Sequence, residues 1–358
     1  MNDTTDMPKR TILVTGPSGV VGRAIVAELS DHHVIGLLHD DDEGIAVNES
    51  IRGDIRTHRL GLDDRSWHSL ADRVDIIIHS AALTTWGLSP ASYTAVNVEG
   101  TQRVVDFAQR ANAPIHLISS CFVHALERPD ARWRPGNIVI PYVRSKWQAE
   151  QLVSAATVPS SVYRLTNVIG DSTTGASRRP QIVHQISQWI CRGKAPYLPA
   201  HPGNRVDVIP LDIAARAISD AVRADDLGRL MWLSYGPQAM TLDAAQRIMV
   251  DHARGLGRDI GLVAVVNPDA PLPIPLEQIP RLSRQYLQVL IDVSEVTRAC
   301  GGELPSTLAE FCGSHGISVI RDTDALRVTL RYWALKARYD GSPPEHRDDA
   351  RPRSRTTV

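Results

Sequence analysis

The sequence predicts an α/β fold, a parallel sheet wound on both faces by helices, followed by a smaller, mainly helical C-terminal lobe. Three observations predict it. Short β-rich apolar runs alternate with amphipathic helical stretches up to about Gly170, a glycine-rich loop joins the first run to the first helix, and after Gly170 the alternation gives way to Pro-rich connections between isolated helices.

Taken in order, "TILVTG" (Thr11 to Gly16), "HVIGLL" (His33 to Leu38), "VDIIIHSAA" (Val74 to Ala82), "PIHLISS" (Pro114 to Ser120) and "SVYRLTNV" (Ser161 to Val168) read as buried strands. Gly22 to Ser30, Trp67 to Arg73, Val98 to Ala111 and Tyr142 to Ala156 read as the helices between them. Strand and helix in strict turn place ligands at the carboxyl ends of the strands. Residues 10–170 are therefore expected to bind the ligand. Residues 171–340, with connections such as "APYLPAHPGNR" and "NPDAPLPIPLEQIP", are expected to form a substrate lobe interleaved with the last sheet elements. The first nine residues and the polar tail 341–358 are expected to be disordered.

At 358 residues, 43% hydrophobic and a net charge of −1, the chain reads as a soluble globular protein with no electrostatic footprint for nucleic acid or an anionic membrane. Cys121, Cys191, Cys300 and Cys312 are widely spaced and form no metal-ligand pattern, so reduced thiols and no metal are expected. No apolar run approaches the ~20 residues of a membrane span, and Met1 to Arg10 lacks the apolar stretch of a secretory signal. A cytoplasmic location is expected.

"VTGPSGVVGRA" sets Gly16, Gly19 and Gly22 directly after a strand and at the opening of a helix. Glycines permit the tight turn and the approach of a pyrophosphate to backbone, and the helix start, with Ser18, Val20 and Val21, supplies N–H donors and the positive end of the dipole. That context turns a common glycine pattern into a dinucleotide site of Rossmann type. The second strand runs into "LLHDDDEG", where an acidic residue suits a free ribose 2′-OH and a basic one a 2′-phosphate. His39 is followed by Asp40, Asp41 and Asp42, while Arg23 stands just behind the loop; the balance leans to NADPH, with NADH left open.

Among 39 basic residues only Lys9, Lys146, Lys194 and Lys336 are lysines, and Lys146 follows Tyr142 by four positions in "IPYVRSKWQAEQLV". Residues at i and i+4 share a helix face. An ammonium there favours the phenolate, helping a phenol of ordinary pKa ~10 to move a proton at neutral pH. Ser119 and Ser120 close the strand "IHLISS", where a hydroxyl can hydrogen-bond a substrate carbonyl oxygen. An isolated YxxxK is more often a helix surface; after the glycine loop and in this chain order, catalysis is the better reading.

Together, "TGPSGVVG", "HSAA", "NVEGT", "ISSCFV", "YVRSK" and "YRLTNVIGD" make the chain resemble an extended short-chain dehydrogenase/reductase from Thr11 to Ile218. The resemblance implies Tyr142 as acid/base, Lys146 as its partner at the cofactor, Ser120 as the substrate-orienting hydroxyl and Asn97 near the site. It also implies Asp54 and Ile55 beside the adenine, Ala81 and Ala82 along the cofactor, and Leu165, Asn167 and Val168 closing over the nicotinamide.

A narrower likeness, in "GDIRTHRLGLDDRSWHSLADRVDIIIHSAA", "YVRSKWQAEQLV", "YRLTNVIGDSTTG" and "RVDVIPLDIAARAI", is to the terminal thioester reductase domains of nonribosomal peptide synthetases and to carboxylic acid reductases. It implies NADPH-dependent reduction of a carrier- or CoA-bound acyl thioester to an aldehyde, or on to the alcohol, as part of a biosynthetic pathway. His39 departs from the arginine common in that group. Trp86, Cys121 and Asn167 are candidate substrate-lining residues; Trp189 and Tyr197 are further candidates for the same acyl or pantetheine channel as Trp86, although each of these three aromatics is more often simply core. The chain shows no carrier domain of its own, so a carrier protein is expected in trans; a homodimer is left open. Reduction of a ketone or steroid, nucleotide-sugar epimerisation or dehydration, and non-enzymatic NADP(H) sensing remain alternatives on the same fold.

Overall fold

The computed structural model describes residues 9–40 and 44–339, so the expectations for the termini, Asp41 and Asp42 lie outside the described residues. Seven strands form one sheet: β1 (Thr11–Thr15), β2 (His33–Leu38), β3 (Glu49–Arg52), β4 (Ile76–His79), β5 (Ile115–Ser120), β6 (Ser160–Leu165) and β7 (Leu230–Leu233). Their order is β7-β6-β5-β4-β1-β2-β3 and every pairing is parallel. The order reverses between β1 and β4, which opens a crevice at the carboxyl edge. Sequence reading missed β3 and β7, the two edges of the sheet.

Alternation along the strands divides the core. Ile12, Val14, Ile76 and Ile78 face a layer made by α1 (Val20–Glu28) and α6 (Leu211–Arg223). Leu13, Ile35, Ile77 and Leu117 face α2 (Asp64–Ala71), α3 (Glu99–Ala111) and α4 (Ile140–Ser154). Helix α2 starts on Asp63, whose carboxylate accepts from Ser66 N–H, and α3 ends on Asn112 in the left-handed conformation. A π-helical turn, Thr94–Val98, feeds α3 and carries Asn97.

A separate apolar cluster, including Trp189, Tyr197, Met249 and Leu287, lies among α5 (Ile182–Cys191), α7 (Leu242–Gly255), α8 (Arg281–Ala299) and α9 (Asp322–Tyr339). The chain does not leave the sheet for good after Gly170: α6 and β7 return to it before α7. Two buried acids on α8 brace the segment leading into α4. Asp292 accepts from Arg134 Nη2 (2.6 Å) and Ile138 N–H (3.2 Å), and Glu295 accepts from Arg134 N–H (2.7 Å) and Asn137 Nδ2 (2.8 Å). Asn137 in turn accepts from Val139 and Ile140 N–H at the start of α4. All four cysteines are free and buried. Among the described residues no helix is long and apolar enough to cross a membrane.

Candidate active site

The glycine loop turns at Gly16, in the left-handed region at φ +68°, where a side chain would put its Cβ 2.7 Å from the backbone of Ala81. At Gly22 a Cβ would stand 2.1 Å from Gly16 O. Both glycines are therefore required by close backbone approach. Helix α1 begins at Val20 behind Gly19 with no side-chain cap, which leaves its first N–H groups and the positive dipole end for an anionic ligand. Arg178 reaches from the lobe to donate to Ser18 O at 2.5 Å. The residues present fit a dinucleotide pyrophosphate.

At the far end of the crevice, His39 directly follows β2. Arg56, not singled out from sequence, packs its guanidinium against the His39 ring nitrogen and holds Asp54 in a forked pair, Nε–Oδ1 3.0 Å and Nη2–Oδ2 2.8 Å. Hydrogen bonding from Arg56 holds the Asp54 carboxyl below its usual pKa. Ile55 is buried beneath, against Gly100 of α3. Arg23 donates to Gly44 O at 2.6 Å.

Three residues singled out from sequence lie around the carboxyl end of β5. Tyr142 and Lys146 lie one turn apart on α4, both buried, and Ser120 ends β5, its hydroxyl acting to lower the phenol pKa. Ser120 Oγ also accepts from Phe122 N–H at 3.4 Å. Burial pushes the Tyr142 phenol up to about 12, with the Ser120 bond acting in the other direction. This corrects the expectation of a lowered phenol pKa: desolvation dominates, and the ammonium of Lys146 is turned to Ile118 O at 2.5 Å. Burial lowers Lys146 itself to about 8, against the favourable charge of Glu150.

Asn97 clamps the segment after β4. Its Oδ1 accepts from Leu83 N–H (2.7 Å), and its Nδ2 donates to Leu83 O (3.0 Å) and Ser145 Oγ (2.9 Å). Ser145 donates to Tyr142 O at 2.7 Å, so Asn97 reaches the tyrosine through one hydroxyl. A second buried chain, absent from the sequence reading, runs from Ala81 N–H to Thr15 Oγ1 (3.3 Å), His79 Nδ1 (2.7 Å), His79 Nε2 to Thr101 Oγ1 (2.9 Å), and on to Asn97 O (2.6 Å). Burial drives His79 down to about 3, which keeps the ring neutral. The chain ties the glycine loop, β4 and Asn97 together; the motif "HSAA" was its sequence signal.

Leu165 ends β6 opposite Ser120 in the sheet register. Asn167 and Val168 form a short strand with Val208 and Ile209, and Asn167 Nδ2 donates to Asp207 O at 3.2 Å. Ala82 lies between Ala81 and the Leu83 held by Asn97. Trp86 and Asn167 line an apolar cavity together with Phe122. Cys121 does not: its side chain is fully buried, with Sγ on Arg164 O at 2.9 Å. Trp189 and Tyr197 are also core, bonded to Ser283 Oγ and Ile274 O.

A buried ion cluster stands behind the site. Arg164 on β6 donates to Glu150 of α4 (Nε–Oε1 3.0 Å, Nη2–Oε2 2.6 Å) and to Glu127 (2.9 Å from Nη1), and stacks on Trp232 at 4.4 Å. Ser119 donates to the same Glu150 carboxylate.

Comparison with known proteins agrees with this geometry. A family model described as Male sterility protein, an NAD-binding family, matches residues 39–218, just over half of the 358-residue chain. The match starts after the glycine loop, which its own geometry assigns. The linear gramicidin synthase of Brevibacillus parabrevis includes a polypeptide that is 27% identical over 243 residues, 58% of this chain and 5% of that one. Glycine betaine reductase of Emericella nidulans is 29% identical over 253 residues, 58% of this chain and 19% of that one. This chain thus spans only a small part of the curated relatives it matches. In fold, it is similar to the terminal R domain from the myxalamid PKS-NRPS pathway, with TM-score 0.69 and 24% identity over 92% of this chain and 91% of that one. It is also similar to UDP-glucuronic acid 4-epimerase from Bacillus cereus in complex with NAD, with TM-score 0.61 and 17% identity over 93% and 99% of the two chains. With a family match over just over half of its length and a parallel sheet whose first strand runs into a glycine loop, the chain belongs to the male sterility protein family, an NAD-binding family of oxidoreductases.

Proposed function

We propose that the protein is an NADPH-dependent reductase that converts an acyl thioester, presented on a carrier protein or on coenzyme A, to an aldehyde. The observation that carries this reading is the placing of Ser120 at the end of β5 and of the buried, protonated Tyr142 on α4 next to an apolar cavity that Phe122 and Asn167 line. That arrangement suits a carbonyl carrying a long apolar substituent. The relatives support it: one belongs to linear gramicidin synthase, another is named a reductase, and the chain shares its fold with a terminal R domain. His39 and Arg56 would meet a ribose 2′-phosphate, with Ser18, Gly19 and the start of α1 around the pyrophosphate.

When bound, NADPH supplies the hydride. Ser120 holds the thioester oxygen, and Tyr142, with its proton firmly held at neutral pH, donates that proton as negative charge develops there. Lys146 keeps a positive charge beside the phenolate that results. The hemithioacetal then collapses, breaking its C–S bond to give the aldehyde and a free thiol.

The test is NADPH oxidation by the purified protein across acyl-CoA, acyl-N-acetylcysteamine and acyl-carrier-protein substrates, with the aldehyde trapped. Aldehyde formation is the expected result. Silence on every thioester with turnover of a ketone or a nucleotide sugar would overturn the reading in favour of the other chemistries this fold hosts.

A further inference from the structure

One hydrogen bond ties the lobe to the glycine loop. Arg178 lies on the segment that leads from the short strand Asn167–Ile169 into α5, and its Nη1 donates to Ser18 O at 2.5 Å across a separation of 160 residues. Ser18 stands between Gly16, where the chain turns, and Gly19, behind which α1 opens with no side-chain cap. The lobe thus delivers a cation to the loop that is shaped for the phosphates of a dinucleotide. A main-chain carbonyl is a modest partner for a guanidinium. A phosphate can take two of its N–H groups in parallel, and its charge makes each bond roughly twice as strong. Arg178 is exposed, so its head group can change partners without unpacking anything, and water can serve Ser18 O in its place.

The backbone on either side of Arg178 is held. Before it, Ser172 donates from its N–H and its hydroxyl to the Asp212 carboxylate of α6, at 2.7 and 2.6 Å. Gly175 lies so close to α9 that a Cβ there would stand 2.5 Å from Val328 O. After it, Arg179 O accepts from Ser177 Oγ at 2.9 Å and from Gln181 Nε2 at 3.1 Å. Gln181 N–H in turn donates to His184 Nδ1 at 2.9 Å, which closes the start of α5. Ile182 and Val183, the first two residues of that helix, line the apolar cavity beside Phe122 and Asn167. Only Arg179, Pro180 and Gln181 separate Arg178 from the cavity wall, and the first and last of them are hydrogen-bonded into the turn. The stretch has little slack to absorb a movement of Arg178 before it reaches α5.

We propose that Arg178 is a cofactor-sensing residue: its guanidinium exchanges Ser18 O for a phosphate of the bound dinucleotide, and the exchange, passed along 179–181, orders α5 and with it one wall of the apolar cavity. Cofactor binding and completion of the cavity are then coupled, and by linkage whatever fills the cavity tightens the cofactor. The inference depends on a dinucleotide cofactor and not on which substrate the cavity takes.

Calorimetric titration with NADP⁺, ADP-ribose and 2′,5′-ADP tests the contact. Arg178→Gln, which keeps an N–H donor but no charge, should weaken NADP⁺ by about tenfold, whereas Arg178→Lys, which keeps the charge, should stay within about threefold of the wild type. A matching loss for ADP-ribose alone places the guanidinium on the pyrophosphate, one for 2′,5′-ADP alone on the 2′-phosphate, and one for both on the adenosine 5′-phosphate they share. Wild-type affinity for all three ligands in Arg178→Gln would overturn the proposal and leave Arg178 a brace for the loop. Hydrogen exchange reads the second half. Saturating NADP⁺ should slow exchange of the α5 amides by about tenfold in the wild type, and by less than about twofold in equally saturated Arg178→Gln. Pro180→Gly, which frees the linking backbone, should keep the cofactor affinity and lose the α5 response. Equal protection of α5 with and without cofactor in the wild type, or a full response in either Arg178→Gln or Pro180→Gly, would overturn the coupling.

Discussion

Lys146 donates from its ammonium to the main-chain carbonyl of Ile118, two residues before Ser120 on the same face of β5. The bond holds a positive charge at the strand end where the carbonyl oxygen is proposed to bind. It also carries a cost, because the ammonium is buried and its pKa falls from 10.5 to about 8.

That cost has a pH signature. Between pH 8 and 10.5 the unfolded chain keeps a proton on this lysine that the folded chain has lost, so stability rises with pH across the window. Below pH 8 both states are charged and the folded state bears the full penalty, up to about 3 kcal/mol. Lys146→Met should therefore gain on the wild type at pH 7, and the difference between them should shift in favour of the wild type as pH rises to 10.5. Loss of the Ile118 bond offsets the whole curve without changing this slope. Urea melts at pH 7, 8.5 and 10 measure it; a constant difference rejects the assignment. Turnover of the wild type should fall as pH passes about 8, and the variant should lack turnover throughout.

Tyr142→Phe keeps the ring, and with it the packing against Tyr93, while removing the proton. Turnover should fall by about 10²- to 10⁴-fold, the usual worth of a general acid, with cofactor affinity unchanged within about twofold. Stopped-flow hydride transfer and cofactor fluorescence titration separate the two quantities. A loss appearing in cofactor affinity instead would reassign the tyrosine to binding.

The placing of the proposed catalytic trio, Ser120, Tyr142 and Lys146, was legible because each member carries a local signal: a serine ending an apolar strand, and a tyrosine and lysine one helical turn apart. Strands β1, β2, β4, β5 and β6 were legible for a similar reason, being continuous apolar runs buried on both faces. Strand β3 was not, since "ESIR" is a short edge strand with half its residues exposed. Strand β7 was lost among the lobe helices, although "LMWL" before a serine and a glycine has the same signature as the others. The phenol pKa was misjudged because helical spacing reports that a lysine is near and says nothing of how deeply the pair is buried. Arg56 and Glu295 could not be singled out at all: Arg56 also meets His39, 17 residues away, and Glu295 acts through Arg134 and Asn137, far away in sequence.

Arg56 bears on the choice of cofactor. Its fork on Asp54 and its contact with His39 neutralise an acid that would otherwise repel a 2′-phosphate. Arg56→Ala should weaken NADPH by about tenfold, in line with loss of one charge-assisted contact, and leave NADH unchanged or slightly improved. Equilibrium titration with both cofactors is the check. Equal losses for NADPH and NADH would show that Arg56 supports the fold around Asp54 and does not read the ribose.

Arg164 and Glu150 make the last prediction, because their pair couples the strand and the helix that frame the site. Arg164 is 2% exposed and Glu150 is 6% exposed, so neither charge has water to fall back on. Glu150→Ala leaves the guanidinium with Glu127 alone and takes the acceptor from Ser119; breaking one side of such a pair costs about 3–5 kcal/mol. Replacing both ions with apolar residues, Glu150→Leu with Arg164→Met, removes two desolvation penalties together with the attraction, and the double variant should regain most of what the single one loses. Denaturant unfolding of the three proteins measures the coupling, while turnover reads a separate effect. If the pair also holds the end of β5 against α4, the double variant should recover stability but not its full turnover, since Ser119 would still lack the carboxylate that fixes the residue beside Ser120. Full recovery of both would make the pair purely a matter of packing.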